Sequence, residues 1–135
     1  LADIMGAPLM DSIVVTNSML EEYHDDVIAF MECCYDAMDM LVADPEARAE
    51  YAMNLYKNEG GVTYSDEDMA AEITNVTYWT WDMLEDSPYE FGTTMKQIGQ
   101  FFMDQGLIEE GSMPAIEASL RKDILDEVVA YHKSK

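Results

Sequence analysis

The sequence predicts a mostly α fold in which one β-strand is followed by five or six helices. The strand is indicated by the β-branched run Ile13-Val14-Val15-Thr16, since such residues favour extended backbone and turn-forming residues flank them here. Along most of the remaining chain, apolar residues recur at spacings of three and four, which is typical of amphipathic helices. Unbroken apolarity in the run favours a strand that is buried on both faces.

All 135 residues are expected to form a single domain. Residues 1–10 are interpreted as an extended lead-in, residues 11–17 as the strand with its flanks, and residues 18–135 as helical. Short capping signals divide the helical part. Ser18 with Glu21 forms a capping box that predicts a long first helix. Further starts are predicted at Asp44-Pro45, Ser65, Ser87-Pro88 and near Pro114, and stops at Asn58 and Gly106.

Charge and hydropathy exclude several classes of protein. The chain has 28 acidic and 7 basic side chains, a net charge of −21, which argues against binding nucleic acid or anionic lipid. No apolar run is long enough to span a bilayer. We therefore expect an acidic globular domain with no nucleic-acid partner.

Sequence patterns for catalysis or metal binding are weak. Cys33 and Cys34 are adjacent in a helical pattern, where they point about 100° apart, so we expect two free thiols with Cys34 on the buried face. Glu21 and His24 have the Glu-x-x-His spacing of di-iron bundles, but His132 has no acid three residues before it. We predict no catalytic residue, metal ligand or cofactor, and no enzymatic activity.

Acidic clusters elsewhere lack the glycine and the terminal glutamate of a calcium loop. Asp36 and Asp39, for example, are interpreted as part of a solvated helix face. We therefore predict no cation site at any of these acidic clusters.

The predicted strand requires a partner, because an isolated strand leaves its backbone N–H and C=O groups unpaired. The other candidate, at residues 61–64, is short and begins with glycine. Two hypotheses follow. Either this sequence is the tail of a larger α/β protein, or it is a stand-alone acidic helical interaction domain that dimerises by pairing residues 13–16 of two copies.

Several segments also carry a family resemblance. They are SIVVTN at 12–17, LEEY at 20–23, VIAF at 27–30, DPEA at 44–47 and FFMDQGLI at 101–108. Their order and spacing, over roughly residues 9–120, resemble the C-terminal part of type-2 periplasmic substrate-binding proteins of ABC importers. The most similar branch binds thiamine-precursor pyrimidines, sulfonates or nitrate.

The resemblance implies a two-lobe α/β clamshell in the full protein, with this chain as the C-terminal segment that buttresses one lobe. It implies a small-molecule ligand held between the lobes and delivery to an ABC permease. It also implies a periplasmic or extracellular location, and a lipid anchor on the parent protein is compatible with that location. The segment alone is not expected to bind ligand.

Three residues form the predicted ligand-binding set. Thr16 and Asn17 end the predicted strand, and ligands of open α/β sheets gather at the carboxyl ends of strands. Trp79 lies in the aromatic segment 78–81, and flat ligands stack on such rings. On a helix, Trp79 and Trp81 point about 200° apart, so one of them is expected to pack in the core.

Overall fold

The computed structural model describes residues 12–86 and 90–135. Within these ranges the regular secondary structure is helical throughout. The helices are α1 (Asn17–Glu22), α2 (His24–Ala43), α3 (Pro45–Asn58), α4 (Asp66–Asn75), α5 (Trp81–Asp86), α6 (Thr93–Asp104), α7 (Met113–Ser119) and α8 (Lys122–Lys133). The helical character agrees with the prediction.

The predicted strand is wrong, because no strand occurs in the described residues and residues 12–16 have no regular secondary structure. Thr16 has extended backbone (φ −74°, ψ 151°), but it is the N-cap of α1. Val14 is 89% exposed, so the run is not buried on both faces either. Extended backbone becomes a strand only when a second strand pairs with it. The fold class that was built on this strand is corrected accordingly, whereas the dimer pairing through residues 13–16 stays a prediction.

The capping box at Ser18 is also wrong. The N-cap is Thr16, whose Oγ1 accepts a hydrogen bond from the Met19 N–H at 3.2 Å. The predicted long helix is divided at Tyr23, which has φ −130° and ψ 38°. Helical hydrogen bonding resumes at once, since the Val27 N–H donates to the Tyr23 carbonyl at 2.9 Å. The apolar periodicity therefore continues across the break and does not reveal it.

Two other predicted caps are confirmed. Asp44 Oδ1 accepts from the Ala47 N–H at 3.0 Å, and Pro45 is the first residue of α3. Ser65 Oγ accepts from the Asp68 N–H at 3.2 Å at the start of α4. The stop at Asn58 is confirmed as well. The start predicted at residues 87–88 lies outside the described residues, and the last predicted helix is divided into α7 and α8.

The described residues fall into two compact units, one with residues 12–28 and 90–135 and the other with residues 29–86. In the first unit α6 packs on α7, and in the second α3 packs on α4. The core of the first unit contains Leu20, Val27, Ile28, Ile124 and Val128, and that of the second contains Met69 and Trp81. In the described ranges, every helix falls short of the length or the apolarity that crossing a membrane requires.

Candidate functional site

An open cleft in the first unit lies between α1, the start of α2 and the start of α8. It has a volume of about 450 Å³ and is lined by Asn17, Leu20, Glu21, His24 and Arg121. We call it the α1–α8 cleft. Four of its five lining side chains are polar or ionisable, so the cleft offers hydrogen-bonding groups beside apolar surface.

Helical spacing places three of these residues on one side of α1. Asn17, Leu20 and Glu21 are three and four residues apart, so their side chains are neighbours on the helix surface. Leu20 is 6% exposed and gives the cleft an apolar floor. Asn17 owes its position to Thr16, which caps the helix one residue earlier. The cleft thus has a buried apolar base beneath an amide and a carboxylate.

His24 is held at the edge of the cleft by α8. Its Nε2 lies 2.6 Å from Glu127 Oε2. When Glu127 is ionised it only accepts hydrogen bonds, so the imidazole Nε2–H is the donor. Both side chains are partly exposed, at 41% and 53%. The pair fixes the orientation of the ring without withdrawing it from solvent.

Arg121 precedes α8 and carries the positive charge of the cleft. Its Nε and Nη2 donate to the Asp123 carboxylate at 2.9 and 2.7 Å. These hydrogen bonds lower the pKa of Asp123 and raise that of Arg121. The two-point contact holds the guanidinium in a defined orientation at the cleft.

The lining residues suit reversible binding of a small polar molecule. The Asn17 amide donates and accepts hydrogen bonds, Glu21 accepts, and Arg121 donates. None of the five lining residues is a serine, threonine or cysteine that would supply a nucleophile. A molecule that carries both donor and acceptor groups matches this surface.

The predicted ligand-binding residues fall in both units. Asn17 lines the α1–α8 cleft, and Thr16 next to it caps α1. Trp79 belongs to the second unit, where it is half-buried outside any helix, between α4 and α5. The sequence reasoning missed Arg121, since no local pattern connects it with residues about a hundred positions earlier.

Asp36 and Asp39 are not simply a solvated face of α2. Asp36 Oδ1 accepts a hydrogen bond from the Trp81 indole Nε1–H at 2.8 Å, and Asp39 Oδ1 accepts from the Trp81 backbone N–H at 3.1 Å. The centres of the Trp81 and Tyr35 rings lie 5.1 Å apart. Burial is the main reason why the pKa of Tyr35 is raised. Trp81 therefore packs in the core of the second unit, as expected for one of the two tryptophans.

Both cysteines are free thiols, as predicted. Cys33 is exposed, and Cys34 is half-buried. Desolvation, together with the charge of Cys33, raises the pKa of the Cys34 thiol. A raised pKa lowers the thiolate fraction, so Cys34 is poorly suited to nucleophilic chemistry.

Comparison with known proteins gives one distant relative. Over 125 residues the chain is 22% identical to a protein of Brachyspira hyodysenteriae described as a "Putative ABC transporter periplasmic binding protein". The alignment covers 93% of this chain and 35% of that protein, so the chain spans about a third of the relative's length. No family model and no solved structure matches the chain. The chain is thus distantly similar to an ABC-transporter binding protein.

Proposed function

We propose that this chain is part of the solute-binding component of an ABC importer. The observation that carries the proposal is the similarity to an ABC transporter periplasmic binding protein, which extends over 93% of the chain. A small-molecule ligand, a permease partner and a location in the periplasm or outside the cell follow from that role. So does a non-enzymatic mechanism, in which the protein binds a solute and presents it to the permease.

Within the whole protein, the helices of this chain buttress the solute-binding part. The chain spans only 35% of its relative, so the solute is expected to bind fully only when the rest of the protein is present. Asn17 contributes its amide to the solute from the α1–α8 cleft, and Thr16 holds α1 in place. Trp79, in the second unit, is a separate candidate for stacking on a flat solute.

The alternative is an acidic helical interaction domain that self-associates. Large apolar side chains are exposed in each unit, notably Val14 at 89%, Met40 at 72% and Phe30 at 62% exposure, and self-association would cover such side chains. Sedimentation of the whole gene product over a range of concentrations, with and without candidate solutes, tests it. A stable dimer formed by the whole gene product without any solute response would favour this alternative over the importer role.

The importer role is tested through the transporter itself. The whole gene product would be added to its permease and ATPase subunits in nanodiscs, with candidate pyrimidines, sulfonates and nitrate, while ATP hydrolysis is measured. We expect solute-dependent stimulation of hydrolysis. Equal hydrolysis with and without the protein, across all solutes, would contradict the proposal.

A further inference from the structure

A second cavity of the first unit lies where α6 ends and α7 begins. Its volume is about 440 Å³, and it is lined by Gln100, Met103, Asp104, Glu110, Gly111 and Met113. Met103 and Met113 are half-buried and supply the apolar part of its surface. We call this cavity the methionine groove. Methionine is flexible and polarisable, so a surface lined by it adapts to apolar side chains of different shapes.

Negative charge surrounds the methionine groove. Asp104 and Glu110 are exposed, and none of the six lining residues is basic. The Gln100 side-chain amide donates to Asp104 Oδ1 at 2.7 Å and so positions that carboxylate. Asp104 is also the last residue of α6, where the helix dipole places its negative end. The groove is therefore suited to a cationic occupant.

Exposed apolar side chains also lie near the end of α6, outside the lining of the groove. Phe101 is 55% exposed and lies three residues before Asp104, so the two are neighbours on the surface of α6. Leu107, just after the helix, is 67% exposed. The Phe101 and Phe102 rings lie 5.8 Å apart and form an aromatic pair. Within the groove itself, Met103 and Met113 lie beside the carboxylates of Asp104 and Glu110, so apolar and anionic groups meet on one surface.

We propose that the methionine groove docks a basic amphipathic helix of a partner protein. The apolar side of that helix packs on Met103 and Met113, and its lysine or arginine heads reach Asp104 and Glu110. Lysine and arginine match both halves of the surface, because each has an aliphatic stem and a cationic head. The binding mode is that of a helix in a groove.

Charge decides between a partner protein and a second copy of this chain. A second copy brings its own net charge of −21, and like charges facing each other at an interface weaken association. A basic segment relieves that repulsion at the acidic rim. The inference does not depend on the solute-binding role, since it concerns a different cavity.

The test uses a fluorescent helical peptide made of leucine and lysine, with leucines along one side. Its binding to the full chain would be followed by fluorescence anisotropy at physiological salt. The double variant D104N/E110Q removes two charges from the groove. The matched control E50Q/E59Q removes two charges from exposed positions on and next to α3. Circular dichroism would establish that both variants retain the helical content of the parent.

We expect D104N/E110Q to weaken binding about tenfold, equivalent to about 1.4 kcal/mol, and E50Q/E59Q to change it less than about twofold. M103A/M113A should also weaken binding while leaving the net charge unchanged. An equal loss of affinity in D104N/E110Q and E50Q/E59Q would overturn the proposal. It would show that the peptide responds to the overall negative charge of the chain and not to the groove. Equal binding of a lysine peptide of the same charge but without the leucine face, or of free butylamine, would overturn it in favour of a small cation.

Discussion

His24 Nε2 and Glu127 Oε2 lie 2.6 Å apart, although 103 positions separate the two residues in the sequence. The contact joins the first residue of α2 to α8 at the edge of the α1–α8 cleft. Because α1 ends at Glu22 and α2 begins at His24, this hydrogen bond also supports the helix break at Tyr23. The geometry of the cleft therefore depends on a long-range pair that no local pattern encodes.

Replacing either member of this pair should destabilise the first unit slightly. Both side chains are more than one-third exposed, so solvent screening limits the coupling to below about 1 kcal/mol. A double-mutant cycle with H24N and E127Q, followed by urea unfolding, measures it. E117Q, at an exposed position of α7, serves as the control. A coupling energy of zero would mean that the pair does not hold the edge of the cleft.

Substitution of Arg48 should destabilise the protein more than is usual for a partly exposed side chain. Its Nη2 donates to the carbonyls of Ile73 and Val76 at 3.0 and 2.8 Å, and the guanidinium lies 4.3 Å from the centre of the Tyr78 ring. Arg48 thereby caps the C-terminal end of α4 from α3. Lysine keeps the charge but loses the planar fork, so R48K should cost about 1–2 kcal/mol in the free energy of unfolding.

Chemical denaturation of R48K and of the reverse control K57R, at an exposed position of α3, would check this role. K57R should change stability by less than about 0.5 kcal/mol. If R48K is as stable as the parent, Arg48 does not fasten α4 to α3.

Tyr35 should ionise at a higher pH than an exposed tyrosine. Burial beside Trp81, and secondarily the charge of Cys34, raise its pKa above the ordinary value of about 10. The folded protein therefore favours the neutral phenol. The stability that comes from the neutral Tyr35 phenol is fully present below the pKa that this group has in the unfolded chain. It is lost as the pH rises through the higher pKa of the folded protein. Absorbance at 295 nm, compared between the parent and Y35F, isolates its titration, and a Tyr35 step at or below pH 10 would refute the prediction.

The Asp123 carboxyl should titrate at a lower pH than an unpaired aspartate, because Arg121 hydrogen-bonds to its charged form. Its contribution to stability is present above the unfolded pKa and is lost as the pH falls through the lowered folded pKa. NMR titration of the Asp123 side-chain carbon measures this directly. R121Q should move the pKa back towards its usual value, and an unchanged titration would show that the pair does not form in solution.

The local capping signals at Asp44 and Ser65 predicted helix starts correctly, whereas the capping box at Ser18 and the features that depend on distant partners were not predicted correctly. Asp44 and Ser65 cap their helices through hydrogen bonds three residues away, so their roles are visible in the sequence. The β-branched run before Asn17 has the local preference of a strand but no second strand in the described residues. Its last residue, Thr16, caps a helix instead.

The α1–α8 cleft likewise combines residues that local spacing brings together with one that only tertiary packing adds. The sequence predicts Asn17 at the end of a strand, yet Asn17 lines a cleft as the first residue of a helix. The spacing of Asn17, Leu20 and Glu21 places their side chains next to each other in any helix. The side of the cleft that α1 forms could therefore be predicted from the sequence. Arg121 joins them through tertiary packing, which the sequence alone does not reveal.

Solute binding by the whole gene product tests the central proposal most directly. Thermal unfolding would be recorded with individual small solutes, for the parent, N17A and the control N54A, whose asparagine is exposed on α3. A solute at one hundred times its dissociation constant should stabilise the parent by about 2.7 kcal/mol. At the same solute concentration, we expect this stabilisation for the parent and N54A and a smaller one for N17A. If no solute stabilises the whole gene product, the importer role is contradicted.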